Sequence, residues 1–320
     1  MDTYRPALVF RNHHIATVYP SLFRRVRAVR YERERLTTPD DDFIDLDWSR
    51  TGSKKLVIGL HGLEGSSESQ YIKGLARIFN DHRWDVVAMN FRSCSGEVNR
   101  QRRMYHSGET TDLDFVLKNL IARDVYEEIA LVGFSLGGNV ALKYTGEQGG
   151  RMPSLVKKVV GVSVPMELHT CSLKIEHPAN YVYIKRFMND LKRKFRIKQH
   201  LYPDIDASKI FNARGFSDFD EAFTAPVHGF TSAQDYWKRA SSLPLLPRIS
   251  VPTLIINAQD DSFLSDQAYP YEAVEANPHL QLLVPQFGGH VGFHQRHPRG
   301  YYWTEERILE FVAGKQDSRK

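Results

Sequence analysis

The chain has 320 residues, of which 42% are hydrophobic and 25% charged. That balance excludes a disordered chain and admits a sizeable buried core. The formal net charge of +5 and an isoelectric point of about 9.0 fit a weak attraction to anionic surfaces. No zinc-finger spacing or RRM-like aromatic signature accompanies them, so a nucleic-acid partner is not expected.

The two cysteines, Cys94 and Cys171, cannot build a disulfide framework, and a reducing compartment is the simpler assumption. The start of the chain offers only "ALVF" as an apolar run, too short for a signal peptide. No run approaches the length of a membrane span. A cytoplasmic protein is the expectation.

In chain order, residues 26–50 read as a hairpin whose turn is "TPDDD", because Pro followed by aspartates is turn chemistry. "KLVIGL" (55–60) reads as a buried strand and residues 69–82 as a helix, with Ile72, Leu75, Ala76 and Phe79 at helical spacing. A strand at 85–90, a helix at 111–124, a strand at 128–134, a helix at 136–148 and a strand at 157–164 follow. After a long interval the alternation returns with strands at 252–258 and 280–285 and helices at 268–278 and 302–314. Strands alternating with helices predict right-handed crossovers and a largely parallel sheet of about eight strands, covered by helices on both faces.

Residues 165–250 break the rhythm and read as a cap inserted over the sheet. Within them, Ile184, Phe187, Met188, Leu191 and Phe195 form an apolar stripe. Lys185, Arg186, Lys192, Arg193, Lys194, Arg196 and Lys198 fill much of the remaining helix surface. The expected organisation is an N-terminal extension with the leading hairpin (1–50), a first core part (51–164), the cap (165–250) and a second core part (251–320).

At the strand–helix junction stands "GFSLGG" (133–138), a G-x-S-x-G pattern in the context that pattern requires. A strained turn would lift the Ser135 hydroxyl off the sheet, between glycines that tolerate the crowding. Glycine-rich turns also bind phosphate, but G-x-G-x-x-G and a following Lys-Ser/Thr are both missing here.

A serine needs a base, and the base an orienting acid. In this kind of sheet they should follow in the order acid, then histidine. "NAQDDSFLS" (257–265) follows one predicted strand and "QFGGHVGF" (286–293) follows the last. His290 is the expected base. Asp261 is preferred over Asp260 as the acid, since Ala258 supplies a small residue three positions before it.

His290, His294 and His297 have spacings that could hold zinc on a helix, but Gly288, Gly289, Gly292 and Pro298 oppose a helix there, so no metal and no cofactor are expected. Two backbone amides should face the developing oxyanion: that of Leu136 after the serine, and that of Leu63 in "HGLEGSS" (61–67). Cys94 reads as structural. His106 reads as a polar group behind the site or a helix-start contact, and His13 and His14 as surface or packing residues.

Seven stretches together resemble the YheT/ABHD-type (EMB8-like) α/β-hydrolase family over nearly the whole chain: "YPSLFRR", "LHGLEGSSES", "NFRSCSGEVNR", "YHSGETTDL", "GFSLGGN", "FDEAFTAPVHGF" and "NAQDDSFL". The resemblance implies the α/β-hydrolase fold and a serine hydrolase of esterase or monoacylglycerol-lipase-like activity, with Ser135, Asp261 and His290 as its triad. Ser93 and Ser262 depart from the glycine and proline that the family often has there, which bears on loop shape.

The expected partner is a small acyl ester with a hydrophobic acyl side. The basic face of the cap helix reads as a solvated face of a helix packed on the core, with weak association with an anionic lipid surface as the alternative. A thioester is the alternative substrate. A non-catalytic binding protein on a hydrolase fold is the alternative of another class. The oligomeric state is open.

Overall fold

The computed structural model describes residues 4–27 and 29–314. Strands β1 (Glu32–Thr37) and β2 (Phe43–Ser49) form the expected hairpin. Its aspartates do more than turn the chain. Buried Arg92, in the loop after β4 (Asp85–Met89), donates to Asp40 and Asp42 at 2.8 and 2.9 Å and to Asp112 at 2.8 Å. The hairpin tip is thereby tied to the core.

With β3 (Lys55–Leu60), β5 (Glu128–Phe134), β6 (Val156–Val162), β7 (Thr253–Ile256) and β8 (Leu280–Leu283), the strands make one eight-stranded sheet in the order β1-β2-β4-β3-β5-β6-β7-β8. Only β2 runs against its neighbours; every other pair is parallel.

Alternation along each strand divides the core in two. Leu56, Ile58 and Leu60 of β3 and Ile129 and Leu131 of β5 face one side. There Leu113, Val116 and Leu117 of α3 (Thr111–Ala122) and Val140 of α4 (Leu136–Gln148) cover them. Val57, Ala130, Val132 and Phe134 face the other. Ile72, Leu75 and Phe79 of α2 (Gln70–Asp81) and Ile308 and Val312 of α12 (Trp303–Ala313) cover those. The sequence expectation of an α/β-hydrolase sheet with helices on both faces holds.

One element was not expected. Residues His13–Phe23 form helix α1, capped by Asn12, whose side chain accepts from the Ile15 amide at 3.1 Å. Pro20 lies inside it and deprives the Ala16 carbonyl of its usual helical donor.

Between β6 and β7 run α5 (Leu168–Ile175), α6 (Tyr181–Lys198), α7 (Ala207–Asn212), α8 (Phe216–Phe219), a π-helical turn (Asp220–Thr224), α9 (Ala225–Val227) and α10 (Ala233–Ala240). Helix α11 (Tyr271–Ala276) joins β7 to β8.

The reading that these Lys and Arg side chains fill much of the remaining α6 surface needs correction. Lys194 and Lys198 are buried: Lys194 donates to Glu64 at 2.8 Å, and Lys198 to the Asn99 side chain at 2.7 Å. Lys192 donates to the carbonyls of Phe211 and Ala213 at 3.0 and 2.6 Å. Three of the helix's cations are thus spent on internal acceptors. No described helix is long and apolar enough to cross a membrane.

Candidate active site

Ser135 sits where β5 gives way to α4, at φ 52° and ψ −120°. That is strained ground for a non-glycine residue. Its amide donates to Val162 at 2.8 Å and its carbonyl accepts from Asn139 at 3.1 Å, which pins the turn between β6 and α4. A Cβ on Gly137 would stand 2.5 Å from the carbonyl oxygens of Leu60 and His61, and one on Gly133 would strike the Gly137 carbonyl. The two glycines therefore let the turn press against β3.

His290 reaches the serine from the loop after β8. Its Nε2 lies 2.9 Å from Ser135 Oγ and its Nδ1 lies 2.8 Å from Asp261 Oδ2. The three side chains expected to converge do so, although 155 positions separate the serine from the histidine. Asp261 has buried carboxylate oxygens, and its Oδ1 accepts from the Phe263 amide at 2.9 Å. The Phe263 ring lies against the imidazole, centroids 4.3 Å apart.

Asp260 has a different task. Its Oδ1 accepts from the Gly289 amide at 2.8 Å, directly before His290. Burial raises its carboxyl above the ordinary range, against the pull of the Gly289 and Gly288 amides, and the neighbouring Asp261 charge pushes the same way. The paired aspartates are divided between the imidazole and the backbone that carries it.

Two further anchors hold this loop, and neither was expected. The His290 amide donates to Thr17 Oγ1 on α1 at 2.9 Å, and the Val291 amide to Ser163 Oγ at 3.0 Å. Val291 and Phe293 both have positive φ, 57° and 43°. A Cβ on Gly292 would collide with the Ala16 carbonyl, the one left without a helical donor by Pro20. Asn12 is the only local sign of α1 in the sequence, and Pro20 obscures it.

The loop after β3 carries Leu63. His61 is buried there, with Nδ1 2.7 Å from the Gly62 carbonyl and Nε2 accepting from the Phe91 amide at 3.1 Å. This arrangement requires neutral imidazole with its proton on Nδ1. Burial agrees, lowering its pKa to about 3.

Next in the chain, Glu64 takes φ 53°. Its amide donates to Tyr105 Oη at 2.9 Å, while Tyr105 Oη and Lys194 Nζ donate to its Oε1 at 2.6 and 2.8 Å. Burial opposes the charge on Lys194, but Cys94 and Glu64 outweigh it and raise its pKa. Cys94 lies 3.1 Å from Lys194 Nζ and is buried; burial pushes its thiol up to about 11, which fits the structural reading.

Ser135 and His290 open into a pocket of about 1000 Å³ including its mouth, with Leu63 and Leu136 also in its wall. The rest of the lining is mainly apolar and comes largely from the interval between β6 and β7: Ile175, Phe187, Leu191, Phe216, Phe219 and Phe223.

Among these lie Asp220, His106 and His228. Asp220 accepts from Trp237 Nε1 at 2.9 Å and Thr224 Oγ1 at 2.6 Å, yet burial raises its pKa to about 6. His106 accepts from the Gly108 amide at 3.1 Å and packs edge-to-face on His228, so it belongs to the pocket wall. His294 stacks on Phe10 and His297 on Tyr301, away from His290's partners. His14 meets Tyr183 Oη at 3.1 Å.

A sheet of this order with a serine at the β5–α4 turn defines an α/β-hydrolase. The family model described as the alpha/beta hydrolase fold matches residues 55–296. The chain is 38% identical to YheT of Escherichia coli (strain K12), provisionally named an esterase, over 96% of this chain and 92% of that protein. It is 27% identical to the phospholipase ABHD3 of Mus musculus, over 97% of this chain and 78% of the other. Among solved structures, the Pyrococcus furiosus esterase Pf2001 superposes with a TM-score of 0.61 at 19% identity, covering 89% of this chain and 91% of that one; this likeness bears on the fold.

The chain belongs to the α/β-hydrolase family. Within it, the chain stands with YheT and ABHD3, among the esterase- and lipase-type members.

Proposed function

We propose that the protein hydrolyses carboxylic esters with a hydrophobic acyl group through an acyl-enzyme on Ser135. The observation that carries this reading is the continuous hydrogen-bond chain Asp261–His290–Ser135, at 2.8 and 2.9 Å, opening into an apolar pocket.

Ser135 Oγ attacks the ester carbonyl while His290 Nε2 takes its proton. Asp261 holds the Nδ1–H tautomer and stabilises the imidazolium. The amides of Leu63 and Leu136 receive the oxyanion; such a donor contributes about 3 kcal/mol at the transition state. His290 then returns the proton to the departing alcohol. Water, activated by the same imidazole, attacks the acyl-enzyme and releases the acid. The α4 N-terminus favours the negative charge that develops in both steps.

Residues 165–250 act as the cap that makes the acyl pocket. Its aromatic wall supports a medium-chain or lipid-like acyl group, in keeping with a relative named a phospholipase. The test is fluorophosphonate labelling, followed by a panel of p-nitrophenyl esters of increasing chain length and monoacylglycerols. Wild type should be labelled and Ser135→Ala should not. An unlabelled wild type, or a flat null across the panel, would overturn the reading.

A further inference from the structure

Helix α1 is built the wrong way round for a helix facing water. Surface helices direct charge outward, but His13–Phe23 contains no Lys, Arg, Asp or Glu. Its inner face carries Ala16 and Pro20, both buried, and Thr17, which holds the His290 amide. Its outer face carries Ile15, Tyr19, Leu22 and Phe23, spaced so that they share one side of the helix; Leu22 is 53% and Phe23 64% exposed.

Leu8 and Val9, just before α1, are also exposed. Of the twelve large apolar side chains exposed among the described residues, these six lie within sixteen consecutive positions. Two more, Tyr181 and Val182, open α6, whose Tyr183 meets His14 of α1. Such a cluster marks an interaction site.

Charge selects the occupant. Between Asp2 and Glu32 the sequence has no acidic residue and six arginines: Arg5, Arg11, Arg24, Arg25, Arg27 and Arg30. Among the described residues, Arg24 alone of the six is ion-paired, with Glu305 at 2.6 Å, and the other five are exposed. Exposed Lys185 and Arg186 follow Tyr181 and Val182 on α6. A second copy meeting this face about a two-fold axis would set arginines against the same arginines. Anionic headgroups would neutralise them while the apolar row enters the acyl boundary.

We infer that the outer face of α1, with Leu8, Val9 and the start of α6, docks the protein on an anionic lipid surface. This centres the lipid contact on the N-terminal helix, with the start of α6, including Lys185 and Arg186, beside it. It rests on no step of the hydrolase reading, since docking is read without turnover.

The test is co-sedimentation of the full chain with phosphatidylcholine vesicles, with and without phosphatidylglycerol. Wild type should sediment with the phosphatidylglycerol vesicles and be released as salt is raised. Leu22→Glu/Phe23→Glu should weaken binding by at least about tenfold, whereas Val125→Glu, at an exposed apolar residue outside the cluster, should not. Arg25→Ser/Arg27→Ser, which leaves the apolar row intact, should lose the preference for phosphatidylglycerol. Wild type remaining in the supernatant, or L22E/F23E sedimenting like wild type, would overturn the inference. So would lipid-free self-association that L22E/F23E abolishes, which would assign the face to a second copy.

Discussion

Lys194 of α6 and Glu64 of the β3 loop form a buried ion pair at 2.8 Å, with side chains only 10% and 5% exposed. Glu64 follows Leu63, whose amide is proposed to receive the oxyanion, so this pair ties α6 to that stretch of backbone. Removing the cation alone strands a buried carboxylate, which costs about 3 kcal/mol. Lys194→Met should therefore lower the unfolding free energy by that order and depress kcat more than it raises KM. Adding Glu64→Gln should recover most of the stability. Denaturant titration and steady-state kinetics on wild type and the two variants check both.

The two aspartates should separate cleanly by substitution. Asp261→Asn removes the charge that holds the His290 tautomer and should lower kcat by roughly ten-thousandfold with little loss of stability. Asp260→Asn keeps an acceptor for the Gly289 amide and should leave kcat within about tenfold. Asp260→Ala, which orphans that amide, should cost about 1–2 kcal/mol. Equal losses of activity in D260N and D261N would contradict the division of labour.

Thr17→Val removes the acceptor of the His290 amide while conserving volume. A loss of about 1 kcal/mol in stability follows from the unpaired donor. The base should also be less well aligned, with kcat down by about ten- to hundredfold. Thr17→Ser, which restores the hydroxyl, should rescue both. A T17V enzyme with unchanged kcat would remove α1 from the site.

Asp220 gives a pH signature in stability. Its pKa is raised by burial to about 6, above that of an unfolded-chain aspartate. As pH climbs from about 4 to 6 the unfolded state releases this proton first, so the folded state binds more protons and stability falls. Above the folded value the loss is complete, at about 3 kcal/mol. Asp220→Asn should therefore be more stable than wild type at neutral pH, with the gain vanishing near pH 4. Thermal unfolding across that range decides it.

The sheet was legible because its strands from β3 onward are largely apolar runs that alternate with helices, while the charged leading hairpin showed itself through its turn, all local patterns. Ser135, Asp261 and His290 were legible for a related reason: each lies just beyond a strand's C-terminal end, where such sheets gather their chemistry. Helix α1 was not, because Pro20 breaks the expected pattern and its exposed side is apolar. Nor were the buried lysines of α6. A charged residue at helical spacing reads as surface until its acceptor is known, and Lys198's acceptor Asn99 lies 99 positions away. The anchors of the His290 loop were hidden likewise, with Thr17 lying 273 positions before the amide it accepts from.

The bond from His290 to Thr17 makes the first helix answerable for the imidazole proposed to carry the proton. A protease nick or mild detergent that peels this segment from the body would slacken the imidazole while leaving the sheet intact. Inactivation should then outrun unfolding, and the enzyme would fail at its edge before its centre.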